Sequence, residues 1–183
     1  METSQTNKAI DESLFEKIAA GDDDAFAELY YATYQKVYGF LLSLTKNKED
    51  AEDLMQNTYI KIRNGAHLYK KQGTPMTWIC TVAKNQFLDF VRKENKHKTI
   101  DITEVQNYVS EGIADSVAET VENKMILAAA MTVLDEQERT IFMLHLVNGL
   151  KHREIAELFG LPQNTVITKY NRALKKMKDH LEG

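Results

Sequence analysis

The apolar residues of this chain recur at the spacing of α-helices almost from end to end, and nowhere do they alternate for more than a few residues as a half-buried strand requires. In residues 24–44, Phe26, Leu29, Tyr30, Val37, Phe40, Leu41 and Leu44 fall three, four or seven apart, a stripe along one helix face. Asp22, Asp23 and Asp24 stand where carboxylates cap free N–H groups and suit the positive end of the helix dipole. A shorter helix over 13–20 stops at Gly21, and another over 48–64 places Ala51, Leu54, Met55, Thr58 and Ile62 on one side. Thr74 followed by Pro75 reads as an N-cap and a first helical residue, so a helix is predicted over 75–95 with Ile79, Val82, Ala83, Phe87 and Phe90 facing a core. The periodicity fades over 95–118 and returns at Glu119, with breaks at Leu134-Asp135, Asn148-Gly149 and Gly160-Leu161-Pro162. The expected architecture is all-α: two helical domains, 11–98 and 119–183, joined by a flexible linker over 99–118.

A chain of 183 residues has room for one domain or two small ones, and its net charge of −4 taken as an average argues against a polyanionic partner. The charges are segregated, however. Residues 11–28 hold seven acids and one base, and residues 49–53 hold four acids; residues 59–98 hold nine bases and two acids, and residues 169–178 hold five bases and no acid. Solvated helix faces alone can produce such blocks, but two basic blocks on separate predicted helices are what a polyanion rewards. The lone Cys80 permits no internal disulfide, which suits a reducing compartment. Residues 1–13 are polar and do not have the pattern of a signal peptide, and the longest nearly apolar run, 125–134, is about half of the ~20 residues a membrane span needs. A cytoplasmic protein without membrane insertion is expected.

Residues 150–177, LKHREIAELFGLPQNTVITKYNRALKKM, have the spacing of a helix-turn-helix. Ile155, Ala156 and Phe159 give a buried side to the first helix, Gly160 allows a left-handed turn, and Pro162 starts the second helix, with Val166, Tyr170 and Leu174 as its expected buried stripe. Gln163, Asn164, Thr165, Ile167, Thr168, Lys169, Asn171 and Arg172 then face outward, and all but Ile167 carry hydrogen-bonding or cationic groups suited to base edges and phosphates. The competing reading is a helical hairpin with a polar face, but Lys169, Arg172, Lys175, Lys176 and Lys178 on one helix repel unless an anion is near. In residues 75–93, PMTWICTVAKNQFLDFVRK, aromatic residues interleave with cations, a pattern that suits opened nucleic acid; Trp78 taken singly fits a core anchor better than a base-stacking residue.

With DAEDLMQNTYIKI at 50–62, TWICTVAKNQFLDFVRK at 77–93 and the helix-turn-helix in this order, the chain resembles the bacterial sigma-70 family, specifically the two-domain extracytoplasmic-function sigma factors, over about 11–181. The resemblance implies that the first segment is the family's region 2.2, the second its regions 2.3 and 2.4, and residues 134–178 its region 4. It implies that Asp50, Glu52, Asp53, Leu54, Gln56 and Tyr59 bind core RNA polymerase through the coiled coil of β′, with region 4 meeting the β flap. It implies that Asn64, His67, Lys70, Lys71, Trp78, Lys84, Asn85, Arg92 and Lys93 recognise and open the −10 promoter element, the loop over 64–74 receiving a flipped base. Gln163, Asn164, Thr165, Thr168, Lys169, Asn171 and Arg172 would read the −35 element, and an anti-sigma factor is an expected partner. Three positions depart from the family's usual pattern: Ile167 where a cation is common, Pro75 where an aromatic residue is common, and Thr81 where a basic one is common.

No catalytic constellation is evident. The histidines His67, His97, His145, His152 and His180 are scattered, and the break at Gly149 is expected to separate His145 from His152. No glycine-rich phosphate loop and no zinc-protease motif is present, so neither cofactor nor metal is expected and the chain is not expected to be an enzyme. The function so implied is an alternative sigma factor that joins core polymerase and reads −10 and −35 elements. Its rivals are a stand-alone helix-turn-helix regulator, which has no use for an acidic partner face over 50–62, and a sigma-like protein that only sequesters another factor.

Overall fold

The computed structural model describes residues 10–71, 74–94, 127 and 129–182, and the expected linker over 99–118 lies outside them. Every regular element among the described residues is helical. Helix α1 is Ser13–Ala19; Asp11 starts it by accepting bonds from the Ser13 amide (2.9 Å) and hydroxyl (2.7 Å), which hold the Asp11 carboxyl below its ordinary value. Gly21, at φ +91°, turns the chain into α2, Asp23–Thr45, whose N-cap Asp22 accepts from the Ala25 amide at 3.0 Å. Lys46 takes the left-handed conformation at the end of α2, and Asn47 caps α3, Lys48–Gly65, by accepting from the Asp50 amide at 3.2 Å. Two residues therefore suffice to reverse the chain, and α2 and α3 pack as a hairpin.

A single 3₁₀ turn, Ala66–Leu68, follows, and α4 is Pro75–Glu94. The Thr74 hydroxyl accepts from the Thr77 amide at 3.3 Å, so Thr74 and Pro75 start the helix as their sequence predicts. Phe15, Leu29, Phe40, Leu41, Leu42, Ile62 and Ile79 are fully buried between α1 and α4. Each such side chain contributes roughly 1.5–3 kcal/mol relative to exposure.

The C-terminal part begins with helical residues 129–131, then α5, Glu136–Phe142, which runs on as a π-helical turn, Met143–Val147. Asp135 and Glu138 form a reciprocal capping box at its start: the Glu138 amide bonds Asp135 at 2.8 Å and the Asp135 amide bonds Glu138 at 3.0 Å. Helix α6 is His152–Phe159 and α7 is Gln163–Glu182, with Gly160 at φ +65° between them. A small core of Ala130, Met131, Leu134, Phe142, Met143, Val147, Ala173 and Met177 lies inside this part.

The second core is not confined to one part. Ile141, Leu144, Leu150, Ile155, Ala156, Leu158 and Val166 join the same buried cluster as the side chains of α1–α4. The two expected domains thus pack against each other, where the sequence suggested separate bodies on a flexible tether. The physical reason is that α5 and α6 are apolar on two sides, and the sides not covered by α7 are buried on α2 and α4.

Candidate polymerase and nucleic-acid interfaces

The acidic face expected on α3 divides into two sets. Glu52, Asp53 and Gln56 are exposed and Asp50 is half-buried, whereas Leu54 (6% exposed) and Tyr59 (3%) are buried. The Thr33 hydroxyl gives its proton to the Leu29 carbonyl (2.6 Å), so the Tyr59 hydroxyl donates to Thr33 at 2.7 Å. Burial pushes the Tyr59 phenol far up, because a phenolate there would lose its water. Beside this face lies an open groove of about 520 Å³ lined by Phe26, Tyr30, Gln56, Tyr59, Ile60, Arg63 and Asn64. Tyr30 stacks on Tyr34 at 5.4 Å, and Arg63 lies 5.5 Å over the Phe26 ring while pairing with Asp23 at 2.5 Å. Ile60, 56% exposed, is an apolar residue on the outer face of α3 and is the one sequence signal of this groove. Phe26 and Tyr30 had read only as part of an apolar stripe.

Among the residues expected at a −10 element, Asn64, His67, Lys70, Lys71, Asn85, Arg92 and Lys93 are exposed. Trp78 is half-buried: its ring meets Phe15 edge-on at 5.3 Å and Tyr69 at 5.7 Å, and Phe15 and Tyr69 stack at 4.0 Å. The aromatic trio clamps the loop over 64–71 onto α1. A small cavity of about 130 Å³ opens there between Glu12, Phe15, Glu16, Ala19, Ala66, His67, Tyr69 and Lys71. Burial, and secondarily the nearby Glu12 carboxylate that pairs with its hydroxyl, push the Tyr69 phenol up. Arg92 is tied to Asp89 at 3.1 Å, an exposed pair that costs little to break. Lys84 is half-buried and donates to the Leu158 carbonyl at the end of α6, with its amine 5.9 Å from the centre of the Phe159 ring. Pro75 sits in the first turn of α4, and the hydroxyl of Thr81 donates to the Thr77 carbonyl at 2.9 Å, so neither presents a free polar group there.

The residues expected at a −35 element occupy the first three turns of α7. Gln163, Asn164, Thr168, Asn171 and Arg172 are exposed, and Thr165, Ile167 and Lys169 are half-exposed. The buried stripe of α7 differs from its expected form. Leu174 is 41% exposed, and the buried positions are Val166, Ala173 and Met177, with Tyr170 half-buried between them. The residues at 166, 170, 173 and 177 follow the helical period, while 174 drifts to the rim. On α6, Leu158 takes the core place expected of Phe159, which is only half-buried.

A second correction concerns the histidines. His145 and His152 are brought together, ring centroids 4.1 Å apart and 25° from parallel, with Tyr170 against both at 4.6 and 5.1 Å. The break at Gly149 (φ +74°) folds the chain back on itself, and His145 Nδ1 bonds the Leu150 carbonyl at 2.8 Å. Burial, and secondarily His145, lower the pKa of His152. Among the described residues no group of three or more His, Cys, Asp or Glu side chains is placed to hold a metal ion, and no helix is long and apolar enough to cross a membrane.

Comparison with known proteins adds an independent observation. The family described as Sigma-70 region 2 matches residues 29–97, and that described as Sigma-70, region 4 matches residues 124–177. The chain is 30% identical over 151 residues to the ECF RNA polymerase sigma factor SigM of Bacillus subtilis strain 168, covering 82% of this chain and 91% of that one. It is 30% identical over 161 residues to the ECF RNA polymerase sigma factor RpoE of Cereibacter sphaeroides, covering 87% and 88%. In fold it is similar to CnrH, solved in complex with the cytosolic domain of CnrY (TM-score 0.61, 18% identity, 94% of this chain and 97% of that one). It is equally similar to the sigma factor RpoE of Bartonella quintana, solved with the anti-sigma factor NepR (TM-score 0.61, 18% identity, 86% and 96%).

Proposed function

The chain belongs to the sigma-70 family of RNA polymerase sigma factors, in its extracytoplasmic-function group, and from that premise we propose how its surfaces divide the work of starting transcription. As an alternative sigma factor it directs core RNA polymerase to promoters. The domain spanning 11–98 docks through Asp50, Glu52, Asp53 and Gln56 on the β′ coiled coil, an acidic face suited to a basic partner helix. Leu54 and Tyr59 shape that face from beneath, and the aromatic groove of Phe26, Tyr30, Ile60 and Arg63 extends it.

The −10 element is opened on α4 and the preceding loop. Lys84, Asn85, Arg92 and Lys93 follow the non-template strand, His67 and Lys71 line the small cavity that receives an unstacked base, and Asn64 and Lys70 flank it along the chain. Unstacking costs a few kcal/mol and stacking in a protein site returns about 1–3 kcal/mol, so the flip needs only modest help. Trp78 acts by holding this loop against Phe15 and Tyr69. Gln163, Asn164, Thr165, Thr168, Lys169, Asn171 and Arg172 read the −35 element within the domain spanning 119–183, which also meets the β flap. The linker spans 99–118, an anti-sigma factor is a further partner, and the protein works in the cytoplasm where the polymerase is. Nucleotide addition remains chemistry of the polymerase.

The observation that supports this reading most is that the two sigma family matches coincide with two separate exposed polar surfaces, one on α3 and α4 and one on α7. The test is transcription from a genomic promoter library by core polymerase reconstituted with this protein. Distinct start sites sharing −10 and −35 elements are expected. If no promoter fires while a control sigma factor succeeds, or if Asp53→Ala with Gln56→Ala leaves β′ capture unchanged, the reading fails. Tight duplex binding without polymerase would favour a stand-alone regulator.

A further inference from the structure

Ordered by the helical period, the residues along the first turns of α7 fall into two rows of different chemistry. Gln163, Ile167 and Asn171 stand four apart along one row, and Asn164, Thr168 and Arg172 stand four apart along the next. Five of these six are exposed, and Ile167 is half-exposed. The core does not claim Ile167, since the buried positions of α7 are Val166, Ala173 and Met177. Thr168 gives its hydroxyl proton to the Asn164 carbonyl at 2.8 Å, so toward a ligand it offers a lone pair and a methyl group but no donor. At 3.6 residues per turn, Gln163 and Asn171 lie within about 40° of Ile167 around the helix, whereas Lys169 and Arg172 lie about 160° and 140° away. Lys176, on the far side, pairs with the buried Glu138 at 2.7 Å. The next residue of the first row, Lys175, is about 18 Å beyond Gln163 at 1.5 Å per residue. That places it past the N-terminal turns whose side chains reach base edges when such a helix enters a major groove.

The major groove shows a distinct pattern for each base pair. Guanine is matched by a bidentate Arg or Lys, adenine by a bidentate Asn or Gln, and the C5 methyl group of thymine by an apolar contact. The first row holds two carboxamides with an isoleucine between them and, in these turns, no cation. We propose that Ile167 is a specificity-determining residue that packs on the C5 methyl group of a thymine in the −35 element, between base pairs offered to Gln163 and Asn171. This rests on α7 being the −35 helix. Covering a half-exposed isoleucine with a methyl group takes apolar surface of both partners out of water. A cytosine in the same place sets its N4 amine against carbon and leaves a donor desolvated without an acceptor, which is costly. Ile167 thus selects by what it cannot bond as well as by what it covers.

Deoxyuridine isolates this contact, because it removes the methyl group of thymine and leaves every hydrogen-bonding edge in place. Core polymerase carrying the full chain is used to select a promoter from a genomic library, and each thymine of its −35 element, on either strand, is replaced singly by deoxyuridine. One replacement should weaken promoter binding by the wild-type holoenzyme about fourfold, the value of one buried methyl-sized group. At that position the Ile167→Ala holoenzyme should bind the thymine and uracil promoters alike, and Ile167→Val should keep most of the difference. A −35 element without thymine, or a wild-type holoenzyme indifferent to every replacement, overturns the proposal. So does a methyl effect that survives in Ile167→Ala. The wild-type series needs no variant, so the outcome does not depend on whether a substituted chain folds. Promoters that fire without a shared −35 element, or no firing at all, contradict the premise that α7 reads this element, so the two failures are distinguishable.

Discussion

Leu54 and Gln56 lie two residues apart on α3, and truncating each should produce opposite pairs of effects. Leu54 is 6% exposed and packs in the main core, while Gln56 is exposed on the rim of the aromatic groove. Leu54→Ala forfeits the transfer energy of the deleted carbons and leaves a cavity that helices pinned by other contacts cannot fully close, a cost of about 2–5 kcal/mol. For a chain of this size each kcal/mol lowers the unfolding midpoint by about 2–4 °C, so a fall of roughly 5–15 °C is expected. Gln56→Ala deletes no buried contact and should change stability by no more than about 0.5 kcal/mol. Circular dichroism melts measure the first quantity, and capture of core polymerase well below both midpoints measures the second. Leu54→Ala should still capture polymerase when folded, and Gln56→Ala, combined with Asp53→Ala, should not. A Leu54→Ala protein with an unchanged midpoint and no polymerase capture would refute the division of this face into core and contact residues.

The Tyr59 and Thr33 pair should respond unequally, because their bond has one direction. Tyr59→Phe leaves Thr33 bonded to Leu29 and should cost about 1 kcal/mol, whereas Thr33→Val strands a buried phenolic donor and should cost more, about 1–3 kcal/mol; urea unfolding of both variants and the double variant gives the order. Asp135→Ala removes the acceptor for the Glu138 amide in the capping box and should cost about 1 kcal/mol, visible as a lower thermal midpoint. The His152 imidazole is held below its ordinary 6.5 in the folded protein, so the unfolded chain binds the proton more readily. Its stabilising effect is complete above 6.5 and is lost as pH falls through the folded value. Wild type should therefore lose more stability than His152→Gln between about pH 8 and about pH 5.5 in urea titrations, and an equal loss in both would count against the stacked pair.

The helices were legible in the sequence because their signals are local. Asp22 and Thr74 read as caps from their place before periodic segments, and each accepts an amide bond; Asn47 and Asp135 cap α3 and α5 in the same way without having stood out as caps in the sequence. Gly160 takes the left-handed turn its place between two periodic segments demanded. The exposed −35 candidates were legible for the same reason: a residue on the side opposite Val166 and Met177 has to face outward. What misled was a choice among neighbours within one turn. Leu174 and Ala173 are both apolar, and the direction of the partner helix rather than hydrophobicity selects Ala173 for the core. Trp78 carries aromatic chemistry suited to either a base or a core, and only the positions of Phe15 and Tyr69 assign it.

The sequence by itself determined that the chain is helical, where its helices begin and end, which segments are acidic or basic, and that its motifs fall in the order of a sigma factor. These follow from backbone capping, 3.6-residue periodicity and local charge, which need no knowledge of distant residues. Tertiary structure alone decided that α6 covers α4, that His145 meets His152 across a reversed turn, and that Lys84 faces a carbonyl of the other domain. Each is a contact between groups seven to more than seventy residues apart. Such contacts depend on how apolar faces choose one another once the helices exist, a choice settled by shape and packing density over the whole molecule.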